Sequence, residues 1–84
     1  MRTNDEIKAI VETAFKPLRC VAEIWDYDYR FRFKVFDEKA SGIVKVPDLI
    51  LDKLRDESQL RDVLAGVRER VTEKGFRLDP WKLR

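Results

Sequence analysis

Tyr29-Arg30-Phe31-Arg32-Phe33-Lys34-Val35 alternates without a break between apolar and basic side chains. A period of two places Tyr29, Phe31, Phe33 and Val35 on one face of an extended chain and Arg30, Arg32 and Lys34 on the other. One face suits a core and the other suits water, which is the pattern of a half-buried antiparallel strand. Its backbone groups need partners, and both neighbouring segments can supply them. Upstream, Arg19 to Trp25 is rich in β-formers, and Cys20, Ala22 and Ile24 share one face. Asp26-Tyr27-Asp28 lies between the two runs and reads as the turn, because Asp tolerates turn conformations. Downstream, Asp37-Glu38-Lys39-Ala40-Ser41-Gly42 is polar and ends in glycine, a second turn. Ile43-Val44-Lys45-Val46 then forms a short third strand that Pro47 stops.

Helices flank this core of strands. Thr3 followed by Glu6 fits a capping box, and Ile7, Ile10, Val11, Ala14, Phe15 and Leu18 draw one apolar stripe. The first helix is predicted over 4–16, ended by Pro17 and its restriction of Lys16. Pro47-Asp48 is expected to open the next helix, with Leu49, Ile50, Leu51 and Leu54 as a short amphipathic piece. Leu60, Val63, Leu64, Val67 and Val71 form a longer one. Asp56-Glu57-Ser58 interrupts the stripe, so a break is expected there, with Asp56 or Ser58 as cap. Gly75 reads as the residue that ends the last helix. From about residue 76 the tail is irregular, and Phe76 and Leu78 are expected to pack back. The fold class is therefore α+β: a three-stranded antiparallel sheet with an N-terminal helix and a broken C-terminal helix on one face, α-β-β-β-α, in a single domain over 1–84.

Composition narrows the function classes. The 84 residues hold one cysteine, no histidine, 18 basic and 16 acidic residues, a net charge of +2. At this size the stability margin is thin, roughly 5 kcal/mol. One cysteine cannot form an internal disulfide, which argues against a stapled secreted scaffold. Without histidine the commonest general base and metal ligand is gone, and Ser-His-Asp and Cys-His catalysis with it. The sequence suggests no cofactor and no metal. No apolar run approaches the ~18–20 residues of a membrane helix. Met1-Arg2-Thr3-Asn4-Asp5-Glu6 turns polar where a signal peptide turns apolar. The expectation is a cytoplasmic, non-enzymatic protein.

The element order is similar to that of the double-stranded-RNA-binding domain. That family carries a Gly-Pro-x-His-type loop between its first strands and a lysine cluster opening its last helix. The corresponding segments here are Trp25-Asp26-Tyr27-Asp28-Tyr29 and Pro47-Asp48-Leu49-Ile50-Leu51-Asp52, which are acidic and aromatic. The resemblance is one of topology, and topology does not carry function.

Arg30, Arg32 and Lys34, extended by Arg19 and Lys45, are the candidate phosphate-binding face. Side chains on one strand face lie about 6.6–7 Å apart, close to the spacing of phosphates on an extended single strand. Trp25 or Tyr27 could stack on bases. The competing reading is a solvated face, with Glu23 pairing across the strands to Arg32. Trp25, Tyr27 and Tyr29 near the first turn are candidate protein-binding anchors or, equally, core residues capping the end of the first helix. Trp81 in the tail with Lys82, Leu83 and Arg84 is a further anchor candidate, of a kind that more often packs within its own chain. Asp26 and Asp28 are better explained by the turn than by a cation. Cys20 beside Arg19 reads as a core thiol. Leu60, Leu64, Val67 and Val71 also fit a helix-pair dimer seam, and Gly66 could mark close approach of another element. The leading expectation is a protein-binding module of adaptor or inhibitor type, with weak nucleic-acid binding as the alternative and a homodimer compatible with either.

Overall fold

The computed structural model describes residues 3–82. Met1, Arg2, Leu83 and Arg84 lie outside the described residues, so the ends of the polar N-terminus and of the basic tail are not placed. Helix α1 spans Asn4–Thr13. Its capping box forms as expected: Glu6 N–H donates to Thr3 Oγ1 at 3.2 Å, and Thr3 N–H donates to Glu6 Oε1 at 3.1 Å. The helix stops three residues short of the predicted limit. The Thr13 hydroxyl donates to the Ile10 carbonyl at 3.0 Å, a local bond that competes with helical continuation. Ala14, Phe15 and Leu18 still turn inward and are buried.

Strands β1 (Arg19–Trp25), β2 (Arg30–Phe36) and β3 (Gly42–Ile50) form an antiparallel sheet in the order β1-β2-β3. Cys20, Ala22, Phe31, Phe33, Val35 and Val44 face the core, so the alternation that decides the fold holds through β2. Tyr29 does not belong to it. It precedes β2, is 49% exposed, and lies in the turn. Phe33 packs against Phe15 and Phe31, with ring centroids at 5.7 and 6.2 Å.

β3 departs from the sequence reading. It does not stop at Pro47 but runs on to Ile50, taking in Leu49 and Ile50, and the next helix opens at Leu51. Phe33 lies opposite Val46 and Phe31 opposite Leu49, so an extra β3 residue sits in the stretch that holds Pro47. A bulge on an edge strand is where a proline without an N–H is tolerated. The Leu51 N–H then donates to the Tyr29 carbonyl at 2.9 Å, carrying the pairing to the sheet's end.

Helix α2 is one turn, Leu51–Leu54, and α3 runs over Glu57–Glu73. The break falls where expected, with Asp56 as the cap accepting from the Ser58 N–H at 3.0 Å. Those contacts, the bond from the Gln59 side chain first, hold the Asp56 carboxyl below its ordinary range. Leu60, Leu64, Val67 and Val71 are all buried within the domain, so they form no seam for a second helix pair. Gly66 faces open space, with nothing near the position of a Cβ, so it marks no close approach. Gly75 adopts φ +95 beyond the helix end, the left-handed stop expected of it. Phe76, Leu78 and Trp81 pack against the core. The tail is pinned there by Asp79 N–H to the Lys16 carbonyl at 2.8 Å and by Arg68, whose guanidinium donates to the carbonyls of Ala14 and Asp79.

Candidate functional site

The helices cover one face of the sheet and leave the other open. Alternation brings Val21, Glu23 and Trp25 from β1, Arg32 and Lys34 from β2, and Lys45 from β3 to that open face, all of them exposed. Val21 and Trp25 are 42% and 36% exposed, two apolar side chains on the same open face.

The β1–β2 turn forms one end of this surface. Asp26, Tyr27 and Asp28 all occupy the left-handed region, at φ 55, 54 and 63, and the Tyr29 N–H closes the turn on the Asp26 carbonyl at 3.0 Å. Aspartate accepts this conformation readily, but a tyrosine there is strained. In this conformation the Tyr27 ring stands clear of the protein, fully exposed at 102%.

The basic face is smaller than its sequence suggests. Arg30 donates through Nη1 to both oxygens of Asp48, at 2.8 and 2.7 Å, and through Nε to Asp26 at 3.2 Å. These contacts, the bond to Asp48 above all, raise the Arg30 pKa further above its ordinary value. Arg32 pairs with Glu23 across the strands at 3.0 Å, as anticipated. Both guanidiniums also lie over the Trp25 ring, at 6.0 and 5.0 Å, and Arg30 lies 5.5 Å from the Tyr29 ring. Trp25 is thus held in place by two cations, and a stacking base would have to displace them.

Lys34 and Lys45 behave differently. They stand directly opposite each other in the β2–β3 register, and neither makes an ion pair among the described residues. Like charges directly across a sheet are destabilising. They flank a shallow groove of about 380 Å³ whose lining includes Val21, Phe36, Val46 and Pro47. A second hollow, of about 500 Å³, lies between the β2–β3 turn and the chain after α3, lined by Pro17, Leu18, Lys39 and Phe76 among others. Its charges are of both signs, Asp37 and Glu38 against Lys39 and Arg77, so it carries no net charge of either sign.

Neither sheet edge is free along its length. The Ala22 N–H of β1 donates to Glu12 Oε2 of α1 at 3.1 Å, and β3 carries Pro47 and two register shifts. Both devices discourage the addition of another strand. Cys20 is buried, and burial, helped by the charge of Glu12, pushes its thiol up to about 12. Trp81 is half-buried, with the Arg68 guanidinium 5.8 Å from its ring. It belongs to the tail packing and lies apart from the sheet-face residues. Asp26 is committed to Arg30, and no group of three or more potential metal ligands gathers among the described residues. No helix among them is long and apolar enough to cross a membrane.

Asp48 escapes sequence reasoning, because Pro47-Asp48 reads as a helix start and not as the bulge opposite Arg32. Glu12 escapes it too, because its bond to Ala22 spans ten residues and has no local signal. The chain matches no protein-family model, and no curated protein or solved structure gives a significant match.

Proposed function

We propose that this protein is a small non-enzymatic binding module that recognises another protein through the open sheet face and the turn beside it. The observation that carries the reading is Tyr27, fully exposed at the tip of a turn built from three successive left-handed residues. A strained backbone that presents an aromatic ring away from the protein has no folding benefit of its own. Exposed tyrosine and tryptophan on a rigid support are typical anchors of protein interfaces, and Trp25 stands at the base of the same turn. The absence of histidine, the buried protonated thiol and the ion-paired carboxylates of Glu23, Asp26 and Asp48 support a role without catalysis. A cytoplasmic location is part of the proposal and rests on the single unpaired cysteine.

Nucleic-acid binding has less support. Two of the three residues first assigned to it, Arg30 and Arg32, are neutralised by carboxylates, and a net charge of +2 gives little steering.

Affinity capture with the immobilised protein from lysate of its source cells, followed by direct binding with the purified candidate, tests the reading. One protein should bind the wild type and lose affinity with Tyr27→Gly and with Trp25→Ala, both folded by circular dichroism. A partner that ignores both substitutions overturns the assignment of the surface. Oligonucleotide binding that falls steeply between about 50 and 200 mM salt, without any protein partner, overturns the class.

A further inference from the structure

We propose that Lys34 and Lys45 together form the receptor for a carboxylate on an acidic, extended segment of the partner protein. This rests on the protein-binding reading above and names the chemistry of one end of that surface.

The two ammonium groups come from residues directly opposite each other on adjacent strands. Opposed residues have Cβ atoms about 4.5–5.5 Å apart, so one carboxylate can accept from both lysines at once. Arg32 and Arg30 already have carboxylates, Glu23 for the first and Asp26 and Asp48 for the second. Arg19, exposed on the same face of β1 beyond Val21, pairs with none of these and adds to the positive charge at this end. Carboxylates were therefore available in this sheet, yet none stands opposite Lys34 or Lys45. The pair remains as an unbalanced doublet of positive charge beside exposed Val21 and the Phe36 and Pro47 lining of the groove. A matching ligand carries an acid over the lysines and a small aliphatic side chain over Val21, the spacing of an extended acidic peptide.

Charge also selects the polymer. A nucleic-acid strand would continue from the lysines along the face, and on one side it would meet Glu23, Asp26 and Asp48. Those carboxylates repel a phosphate track but leave room for a single acid followed by neutral or basic residues. The Glu12 bond on the β1 edge and the bulged, proline-bearing β3 edge disfavour strand addition, so the segment lies across the face.

The test uses a short labelled peptide of neutral residues that carries one glutamate with a valine two positions on, so that both side chains share a face, its glutamine counterpart, and a labelled single-stranded oligonucleotide. Binding is read by fluorescence anisotropy and by amide chemical shifts of the intact protein. The glutamate peptide should shift Val21, Lys34 and Lys45, and Lys34→Gln and Lys45→Gln should each weaken it about two- to five-fold, the range for an exposed ion pair. Lys45→Glu provides a second, independent reading. It converts the like-charge pair into an ion pair, so it should raise the denaturation midpoint while abolishing peptide binding. Equal binding of the glutamine peptide, shifts confined to Trp25–Tyr29, no shift at millimolar peptide, or tighter salt-sensitive binding of the oligonucleotide would each overturn the proposal. So would self-association that Lys45→Glu abolishes, which would make a second copy the source of the acid. If the captured natural partner is lost with Tyr27→Gly but retained with both lysine substitutions, this inference fails and the binding-module reading stands. If it ignores all of them, both fail.

Discussion

Replacing Tyr27 with glycine should make the protein more stable. Tyr27 sits at φ 54, and its side chain is fully exposed, so its removal sacrifices no packing. An L-residue in the left-handed region costs about 1–2 kcal/mol relative to glycine. Glycine also gains freedom in the unfolded chain, which returns about 0.4–1 kcal/mol of that advantage. The net gain for Tyr27→Gly is then about 0.5–1 kcal/mol. For a domain of this size that raises Tm by roughly 2–8 °C, and it moves a urea midpoint by about 0.5–1 M at a slope near 1 kcal/mol per M. Tyr27→Ala is the control. It removes the same ring but keeps the Cβ, so its stability should match wild type within about 0.5 kcal/mol. Paired urea titrations followed by circular dichroism read the difference. If glycine destabilises the protein, or alanine stabilises it as much, then the turn is not strained at Tyr27 or the ring does make contacts. Either result removes the main support for Tyr27 as a binding anchor.

Other perturbations test other parts of the account. Gly66→Ala fills open space on the exposed side of α3 and should stabilise by about 1 kcal/mol, read from the same titrations. Leu64→Ala empties a fully buried site and should cost about 3–5 kcal/mol, most of the protein's stability. Arg68→Met removes two bonds to carbonyl groups and the cation over Trp81. It should cost about 2 kcal/mol and shift tryptophan emission to longer wavelength as the tail loosens. Cys20 gives a pH signature. Its thiol titrates near 12 when folded, against an ordinary 9.0. Below the ordinary value both states hold the proton and stability is flat. Above it only the unfolded state releases the proton, so stability falls by about 1.4 kcal/mol by pH 10 and continues falling toward pH 12. Cys20→Ala should abolish that decline, and native Cys20 should resist alkylation near pH 8.

The strands and helices were legible because their signals are local. The β2 alternation, the capping box at Thr3 and Glu6, and the Asp56 cap each depend on side chains within a few positions. Pro47 misled because proline's meaning depends on the neighbouring strand. In a central strand it ends pairing, but on an edge with a bulge it leaves the chain extended to Ile50. Tyr29 was misplaced by one step of an alternation that the turn had already broken. The charge state of the candidate surface was only half legible. Glu23 opposite Arg32 follows from counting along one hairpin. Asp48 on Arg30 and Lys45 opposite Lys34 depend on the β2–β3 register, which the extra β3 residues displace.

The departures from good folding practice are concentrated in one region. Elsewhere the departures are Gly66 within α3 and Ala40 at φ 63 in the β2–β3 turn; the core is apolar, and none of its buried side-chain polar groups lacks a partner among the described residues. The open face breaks several rules at once. It exposes Val21 and Trp25, opposes Lys34 to Lys45, and ends in a turn that holds a tyrosine in a glycine conformation. Three of these departures have a simple remedy that leaves Trp25 in place: a polar residue at position 21, a glutamate at 45, a glycine at 27. Sequences agree with their fold at most levels and break the rules chiefly where function requires it. If binding is what the departures serve, the three remedies combined should stabilise the fold, since the sites lie on different strands and a turn and their gains should largely add. The same combination should eliminate recognition of the partner. A stabilised triple variant that still bound its partner would mean that these three departures are incidental to recognition; binding that also survived Trp25→Ala would place the surface away from the open face.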